Sequence, residues 1–283
     1  MTPIVLSGSV EHGEGKGRLA GFPTANLHTE QVPLPAYGVY CSVFVTEDGR
    51  MHPGVSNIGT RPTADDSSRP TVETWIPNYE GDLYGEHASV VLLDYLRGIR
   101  PFSDMAALKQ QIDQDAAVSA GRSGQFIANA VISASAENTR LIGRHIASKL
   151  RRGDVITLSG PLGAGKSEFV RGIARGLGIE GTLPSPTFTI LNVYDRGRLT
   201  LYHYDWYRIE DPEELIAIGV EEHLPGDGVT MVEWSEQAPE LLPEQLLSFN
   251  IIPLGGEKRL LYFEPSGGFR PVEEWLTELK KQC

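Results

Sequence analysis

Cysteine is nearly missing from this chain. Cys41 and Cys283 are the two thiols in 283 residues, far apart and without a C-x-x-C or histidine companion, which argues against a disulfide framework or a zinc site. Long apolar runs are missing as well: none reaches bilayer length, and the first residues lack the basic-then-apolar pattern of a secretory leader. These absences point to the reducing cytoplasm and away from a membrane. Positive charge is in deficit, with 25 Lys+Arg against 37 Asp+Glu and a formal net charge of −12. The deficit is even, 15 acidic against 9 basic residues over positions 1–125 and 22 against 16 over the remainder. Affinity for nucleic acid leans on neutralising phosphates, so no tight direct nucleic-acid binding is expected; any RNA would have to be held by a partner. No internal repeat is visible.

What is present is an ordinary globular composition, 40% hydrophobic and 22% charged, in enough chain for two domains with separate cores. The first part reads as all-β. Alternating stretches Ile4–Val10, Tyr37–Thr46, Thr71–Ile76 and Ser89–Asp94 are separated by Gly, Pro, Asn and Asp clusters, as in a barrel or a sandwich. A helix follows, with Ser103 as N-cap and Met105, Leu108 and Ile112 on one face. The small, polar stretch Ser119-Ala120-Gly121-Arg122-Ser123-Gly124 places a boundary: a first domain over 1–122, a linker over 123–132 and a second domain over 133–283. The second rhythm is α/β. Leu141, Ile142, Ile146 and Leu150 mark an amphipathic helix, and Leu199–Arg208 and Gly228–Trp234 read as strands. Pro271 opens a last helix with Val272, Trp275, Leu276 and Leu279 on its apolar face.

The second half carries the sharpest signal. Gly160-Pro161-Leu162-Gly163-Ala164-Gly165-Lys166-Ser167 matches the G-x-x-x-x-G-K-[ST] phosphate loop, behind the buried strand Val155-Ile156-Thr157-Leu158 and ahead of a helical pattern at Phe169, Val170, Ile173, Ala174 and Leu177. Glycines let successive N–H groups turn toward one anion at a helix N-terminus, Lys166 reaches the β/γ-phosphates, and Ser167 offers its hydroxyl to Mg2+. Ser185-Pro186-Thr187-Phe188 combines hydroxyls with a stiff bend, suited to sensing a γ-phosphate or its Mg2+, although an ordinary Ser-Pro turn reads the same way. In Tyr202–Arg208, strand alternation puts His203, Asp205 and Tyr207 on one face, fitting a wet site or a structural network. Glu233 ends an apolar strand with a carboxylate, either an element orienting Mg2+ or water, or an exposed strand-end charge.

In order and spacing these segments resemble the TsaE (YjeE) family of bacterial ATPases over residues 133–265. The resemblance implies an α/β P-loop NTPase that drives synthesis of threonylcarbamoyladenosine (t6A) in tRNA with TsaB and TsaD partners. It implies that Lys166 binds phosphate, that Ser167 and Glu233 serve Mg2+, that Asp205 helps position the attacking water and that Thr187 belongs to a nucleotide-sensing switch. Gly160, Gly163, Ala164 and Gly165 line the nucleotide. Ser167 stands where Thr is more usual and keeps the hydroxyl.

The first half has a different phosphate chemistry. Gly17-Arg18-Leu19-Ala20-Gly21-Phe22-Pro23-Thr24-Ala25-Asn26 sets Gly17, Arg18 and Gly21 before Thr24 and Asn26, whose side-chain oxygens, two residues apart, point the same way on an extended segment. Such hard oxygens suit Mg2+ carrying a triphosphate, although P-T-A-N alone reads as a turn. Asn57–Thr63 reads as a second Gly/Pro loop. In Thr71–Ile76, Val72, Thr74 and Ile76 face one way and Glu73 and Trp75 the other, so that a carboxylate able to take a hydroxyl proton lies beside a ring able to line a pocket.

These segments, with Gly38-Val39-Tyr40, Gly81–Gly85 and Leu108–Asp115, resemble bacterial riboflavin kinase over residues 4–118. The resemblance implies a six-stranded antiparallel barrel with a helix at its C-terminal side, transferring the ATP γ-phosphate to riboflavin. Thr24 and Asn26 would hold Mg-ATP, Glu73 would be the general base, and Trp75 and Arg100 would border the flavin. No adenylyltransferase segment or H-x-G-H signature precedes it, so the expected product is FMN and not FAD. The expectation is thus a fusion of two ATP-using enzymes. The alternatives are a barrel that only senses flavin or tethers the ATPase, or a second half that phosphorylates a small metabolite. A substrate-lid arginine cluster is missing for the last, and a guanine-reading N-K-x-D segment for a GTPase.

Overall fold

Period-two alternation governs the first part of the chain. A computed structural model describes residues 3–13, 21–31, 33–62, 68–181 and 183–281, with backbone alone at 61, 62 and 68–70. Strands β1 (Ile4–Glu11), β2 (Thr24–His28), β3 (Gly38–Val45), β4 (Met51–Pro62), β5 (Ser68–Trp75) and β6 (His87–Arg97) close into an antiparallel barrel in the order β1-β2-β5-β4-β3-β6. Closure removes the exposed edges an open sheet would present. Leu6, Val10, Ala25, Leu27, Tyr40, Phe44, Ile58, Val72, Val90 and Leu92 fill the interior. A chain of buried hydroxyls joins them: Ser56 Oγ lies 2.8 Å from both Ser42 Oγ and Thr74 Oγ1, so these polar atoms satisfy one another. The Asn57–Thr63 segment is not a loop as its Gly and Pro suggest. Asn57–Pro62 continue β4, paired to β5, and Thr63 lies outside the described residues.

Helix α1 (Met105–Ala128) packs on β3 and β4, which leaves β3 buried along its whole length. Its cap is Asp104 rather than Ser103: the Ala107 N–H donates to Asp104 Oδ1 at 2.8 Å. Met105 is exposed and Leu108 and Ile112 half-buried; the buried side of α1 consists of Asp115, Ser119, Ser123 and Phe126. Ser119 Oγ donates to the Gly54 carbonyl at 2.6 Å and Ser123 Oγ to the Ser42 carbonyl at 2.8 Å. Small hydroxyl residues let the helix backbone approach the strands, and this explains the boundary correction. Residues 119–124 are helical, and the 123–132 linker does not exist as such: α1 runs to Ala128 and strand β7 (Ala130–Ser133) pairs with a later strand. The contacts divide the chain between Ala128 and Asn129.

The second unit comprises β7, α2 (Ala136–Ala147), β8 (Val155–Ser159), α3 (Lys166–Gly176), β9 (Leu191–Tyr194), β10 (Leu201–Asp205), α4 (Glu213–Ala217), β11 (Val229–Glu233), β12 (Leu246–Gly255), β13 (Lys258–Ser266) and α5 (Glu273–Lys280). The sheet order is β7-β13-β12-β8-β11-β10-β9. β8 runs parallel to β11 and β12, and β10 runs parallel to β11, whereas the edge pairs are antiparallel. The near-continuous apolar run in β8 follows from burial on both faces. In α2, Ile142 and Ile146 are buried, as is Leu150 beyond its end, but Leu141 is exposed, one step off the stripe. α2 and α3 approach backbone to backbone: a Cβ at Gly172 would meet the Arg140 carbonyl oxygen at 2.2 Å. Val272, Trp275, Leu276 and Leu279 bury as their spacing requires, and α5 itself starts at Glu273. Among the described residues no helix is long and apolar enough to cross a membrane.

Candidate active sites

In the second unit the carboxyl ends of β8, β10 and β11 lie side by side, the usual place for a ligand in an open α/β sheet. The loop after β8 enters α3 through glycines at positive φ, 144° at Gly160 and 108° at Gly165. A Cβ at Gly160 would meet the Ile251 carbonyl oxygen at 2.4 Å. Ala164 is buried and its carbonyl accepts from Arg259 Nε at 2.8 Å, while Gly163 (φ 78°) faces open space. Lys166, the first residue of α3, is buried and donates to the Gly160 carbonyl at 2.7 Å and the Pro161 carbonyl at 3.2 Å. Its ammonium lies 4.3 Å from the centre of the Trp234 ring. Burial lowers the Lys166 pKa, opposed by the nearby Glu233, Glu236 and Asp205 carboxylates. The Ser167 hydroxyl, next on the helix, has no hydrogen-bond partner among the described residues.

Glu233, 3% exposed at the end of β11, takes a hydrogen bond at Oε1 from His203 Nε2 at 2.9 Å. It is not the exposed strand-end charge the sequence allowed. Its other carboxylate oxygen has no hydrogen bond among the described residues, so this hard oxygen beside a phosphate loop fits Mg2+. Asp205 Oδ2 accepts from Thr187 Oγ1 at 2.6 Å and Ser185 Oγ at 3.3 Å, and its Oδ1 from the Tyr207 N–H at 3.0 Å. Oδ2 thus ties the Ser185–Thr187 bend to the end of β10, and Oδ1 holds the turn that follows it. Tyr207 does not share the face of His203 and Asp205, because β10 ends at Asp205; it is half exposed, its ring 5.0 Å from that of Trp234. Trp234, which the sequence places at the end of a strand without a role, lies just beyond β11. It adopts φ 59°, a strained left-handed conformation for a bulky residue, and this turns its ring over Lys166.

On the first unit the antiparallel register does the assembling. Asn26 of β2 and Asn57 of β4 stand directly opposite Glu73 of β5, on either side, and Thr24 stands opposite Trp75. Alternation keeps Ala25, Leu27, Val72 and Thr74 inside, so Thr24, Asn26, Glu73 and Trp75 share the outer face, all half-buried. Directly opposed residues have Cβ atoms about 5 Å apart, which brings both asparagine side chains of this row within reach of Glu73. A Cβ at Gly13 would lie 2.4 Å from Asn26 Nδ2, so only glycine leaves that cradle open. Hard amide, hydroxyl and carboxylate oxygens side by side again fit Mg2+. Trp75 packs edge-on against Phe22 at 4.8 Å. Gly21 has φ 87°, and Gly17 and Arg18 lie outside the described residues. Asn57 was legible only as part of a loop; its place beside Glu73 comes from pairing. Arg100 is exposed, its Nη2 donating to Gln111 Oε1 and its guanidinium 5.3 Å from the Phe102 ring. Gln111 in turn donates to Asp115 at 2.9 Å, and Asp115 is gripped by Arg97 at 2.7 and 3.0 Å.

Fold and sites together define a two-unit enzyme, a β-barrel kinase followed by a P-loop ATPase. The riboflavin kinase family model matches residues 1–121, and that of threonylcarbamoyl adenosine biosynthesis protein TsaE matches residues 133–260. The Bacillus subtilis tRNA threonylcarbamoyladenosine biosynthesis protein TsaE is 44% identical over 131 residues, 46% of this chain and 82% of that protein. Its Treponema pallidum counterpart is 43% identical over 128 residues, 45% of this chain and 94% of that protein. The crystal structure of Bacillus subtilis YdiB, 35% identical, covers 54% of this chain and 94% of its own at a TM-score of 0.46. The chain belongs to the TsaE family through its second unit and is a riboflavin kinase–TsaE fusion.

Proposed function

We propose that the first unit phosphorylates riboflavin to FMN with Glu73 as general base, and that the second hydrolyses ATP in support of t6A formation in tRNA, together with TsaB and TsaD in the cytoplasm. The Asn26–Glu73–Asn57 row carries the first reading. Thr24 and Asn26 hold Mg-ATP with Gly17, Arg18 and Gly21, and Trp75 and Arg100 border the flavin. Glu73 takes the proton of the ribityl 5′-hydroxyl as its oxygen bonds to the γ-phosphorus, the bond to the bridging oxygen breaks, and ADP leaves. Bound Mg2+ supplies charge neutralisation on the phosphates.

In the second unit Gly160, Gly163, Ala164 and Gly165 turn their N–H groups to the phosphates, and Lys166 exchanges its loop carbonyls for the β/γ-oxygens. Ser167 and Glu233 would hold Mg2+. Asp205, with Thr187 as the sensing hydroxyl, orients the attacking water once the bend responds to the γ-phosphate. The net charge of −12 supports a subunit that leaves tRNA to its partners.

Purified protein with riboflavin and Mg-ATP, assayed for FMN by chromatography, tests the first reading. FMN from wild type and none from Glu73→Gln is the expected result. Flavin bound without FMN formed would make the barrel a sensor or scaffold instead.

A further inference from the structure

His203 is buried at 2% exposure on β10, two residues before Asp205 and on the same face. The parallel register sets Asp205 opposite Glu233 and His203 opposite Met231, so the imidazole reaches diagonally to the neighbouring strand's carboxylate. That hydrogen bond of 2.9 Å is the ring's one polar contact among the described residues; Nδ1 is buried without a partner. As packing alone this is a poor choice, because an apolar side chain of similar volume would fill the space and strand no nitrogen. We propose that His203 is a positioning residue for the P-loop site, holding the Glu233 carboxylate through Nε2–H···Oε1 so that its second oxygen stays available to a divalent cation. This rests on reading Glu233 as a Mg2+ ligand.

The reason such a hold is needed lies next to it. Lys166 is close enough for the Glu233 charge to act on its ammonium, which already turns back onto its own loop carbonyls. A carboxylate free to rotate would settle against that ammonium, cancelling a phosphate-binding charge and losing its own place toward the cation. With Oε1 pinned from the side away from the loop by a buried ring, the two charges stay separate until Mg-nucleotide arrives.

Binding of a fluorescent ATP analogue to the full chain, titrated with Mg2+ and repeated in EDTA, tests this without the partner proteins. Outer residues that orient metal ligands change metal affinity by about 10–100-fold. Glu233→Gln and His203→Leu are each expected to raise the Mg2+ concentration for half-maximal binding about tenfold. Binding in EDTA weakens less than binding in Mg2+, and the melting temperature stays near wild type. His203→Gln, which keeps an N–H donor near the Nε2 position, restores most of the Mg2+ response. In the Glu233→Gln background, His203→Leu adds nothing. If Glu233→Gln shifts the Mg2+ requirement and His203→Leu does not, the positioning role is overturned while the Glu233 reading stands. If Glu233→Gln itself changes nothing, the Mg2+ reading of Glu233 fails, and this inference with it. Equal losses in EDTA and in Mg2+, or failure of His203→Gln to rescue, would make His203 a structural residue.

Discussion

Glycine-to-alanine substitutions at two places in this chain should have opposite signs, for a reason visible in the space around each. At Gly121 and Gly124, inside α1, an added Cβ meets nothing within 4 Å. There only the helix preference acts, and each substitution should stabilise by about 0.5–1 kcal/mol. At Gly172, inside α3, the same methyl would sit 2.2 Å from the Arg140 carbonyl oxygen, a backbone atom that cannot swing away. An unforced C···O contact is about 3.3 Å, so the helices would have to separate by about 1 Å. Overpacking of that size costs about 3 kcal/mol, and the helix preference returns about 1, leaving a net loss of about 2 kcal/mol. For a unit of this size the melting temperature should fall by about 4–8 °C. The double Gly121→Ala/Gly124→Ala protein should rise by about as much. Scanning calorimetry reads both, the first unit's transition being identified by its shift with riboflavin. A neutral result at Gly121 and Gly124 would mean that the segment is the flexible linker its composition suggests, and not helix. A stabilised Gly172→Ala would refute the close approach of α2 and α3.

Three further outcomes follow from single sites. Asp115→Ala should destabilise the first unit by about 3 kcal/mol, because it strands the largely buried Arg97 and frees Gln111 from its partner; urea unfolding followed at Trp75 measures it. Burial pushes the Tyr204 phenol up to about 12. The folded state then keeps a proton that the unfolded chain gives up near pH 10, so this stability is fully present below about pH 10 and falls by about 3 kcal/mol toward pH 12. Tyr204→Phe should flatten that slope in denaturant titrations at high pH, at a cost of about 1 kcal/mol near neutrality from the lost hydrogen bond to His223 Nδ1. Lys166→Ala should abolish nucleotide binding by the second unit, read by equilibrium dialysis, and leave FMN formation intact. Loss of both activities together would refute the independence of the two sites.

The parts of this protein that depend on local torsion and spacing were legible in its residues. The phosphate loop Gly160–Ser167 needs glycine at left-handed positions in one order, and that order is written in the chain. Alternation alone separated Val72 and Thr74 from Glu73 and Trp75, and placed His203 with Asp205, because a strand turns successive side chains to opposite faces. Both family resemblances rest on such runs. What failed concerned closeness between segments distant in sequence. The serines and glycines of 119–124 have the composition of a linker, yet a helix pressed onto strand backbone needs small residues such as Ser119 and Ser123 too, and only the partner surface tells the two apart. Tyr207 kept its parity on paper but lost its face when β10 ended two residues earlier. Register across neighbouring strands set Asn57 beside Glu73 and His203 against Glu233, and the bend ahead of β9 laid Thr187 onto Asp205. Fold class and motif identity belong to the sequence, since they follow from each residue's own backbone and side-chain demands. The tertiary structure decided which carboxylate is held and by what, because pairing across strands is settled by the burial of whole faces and by no residue alone.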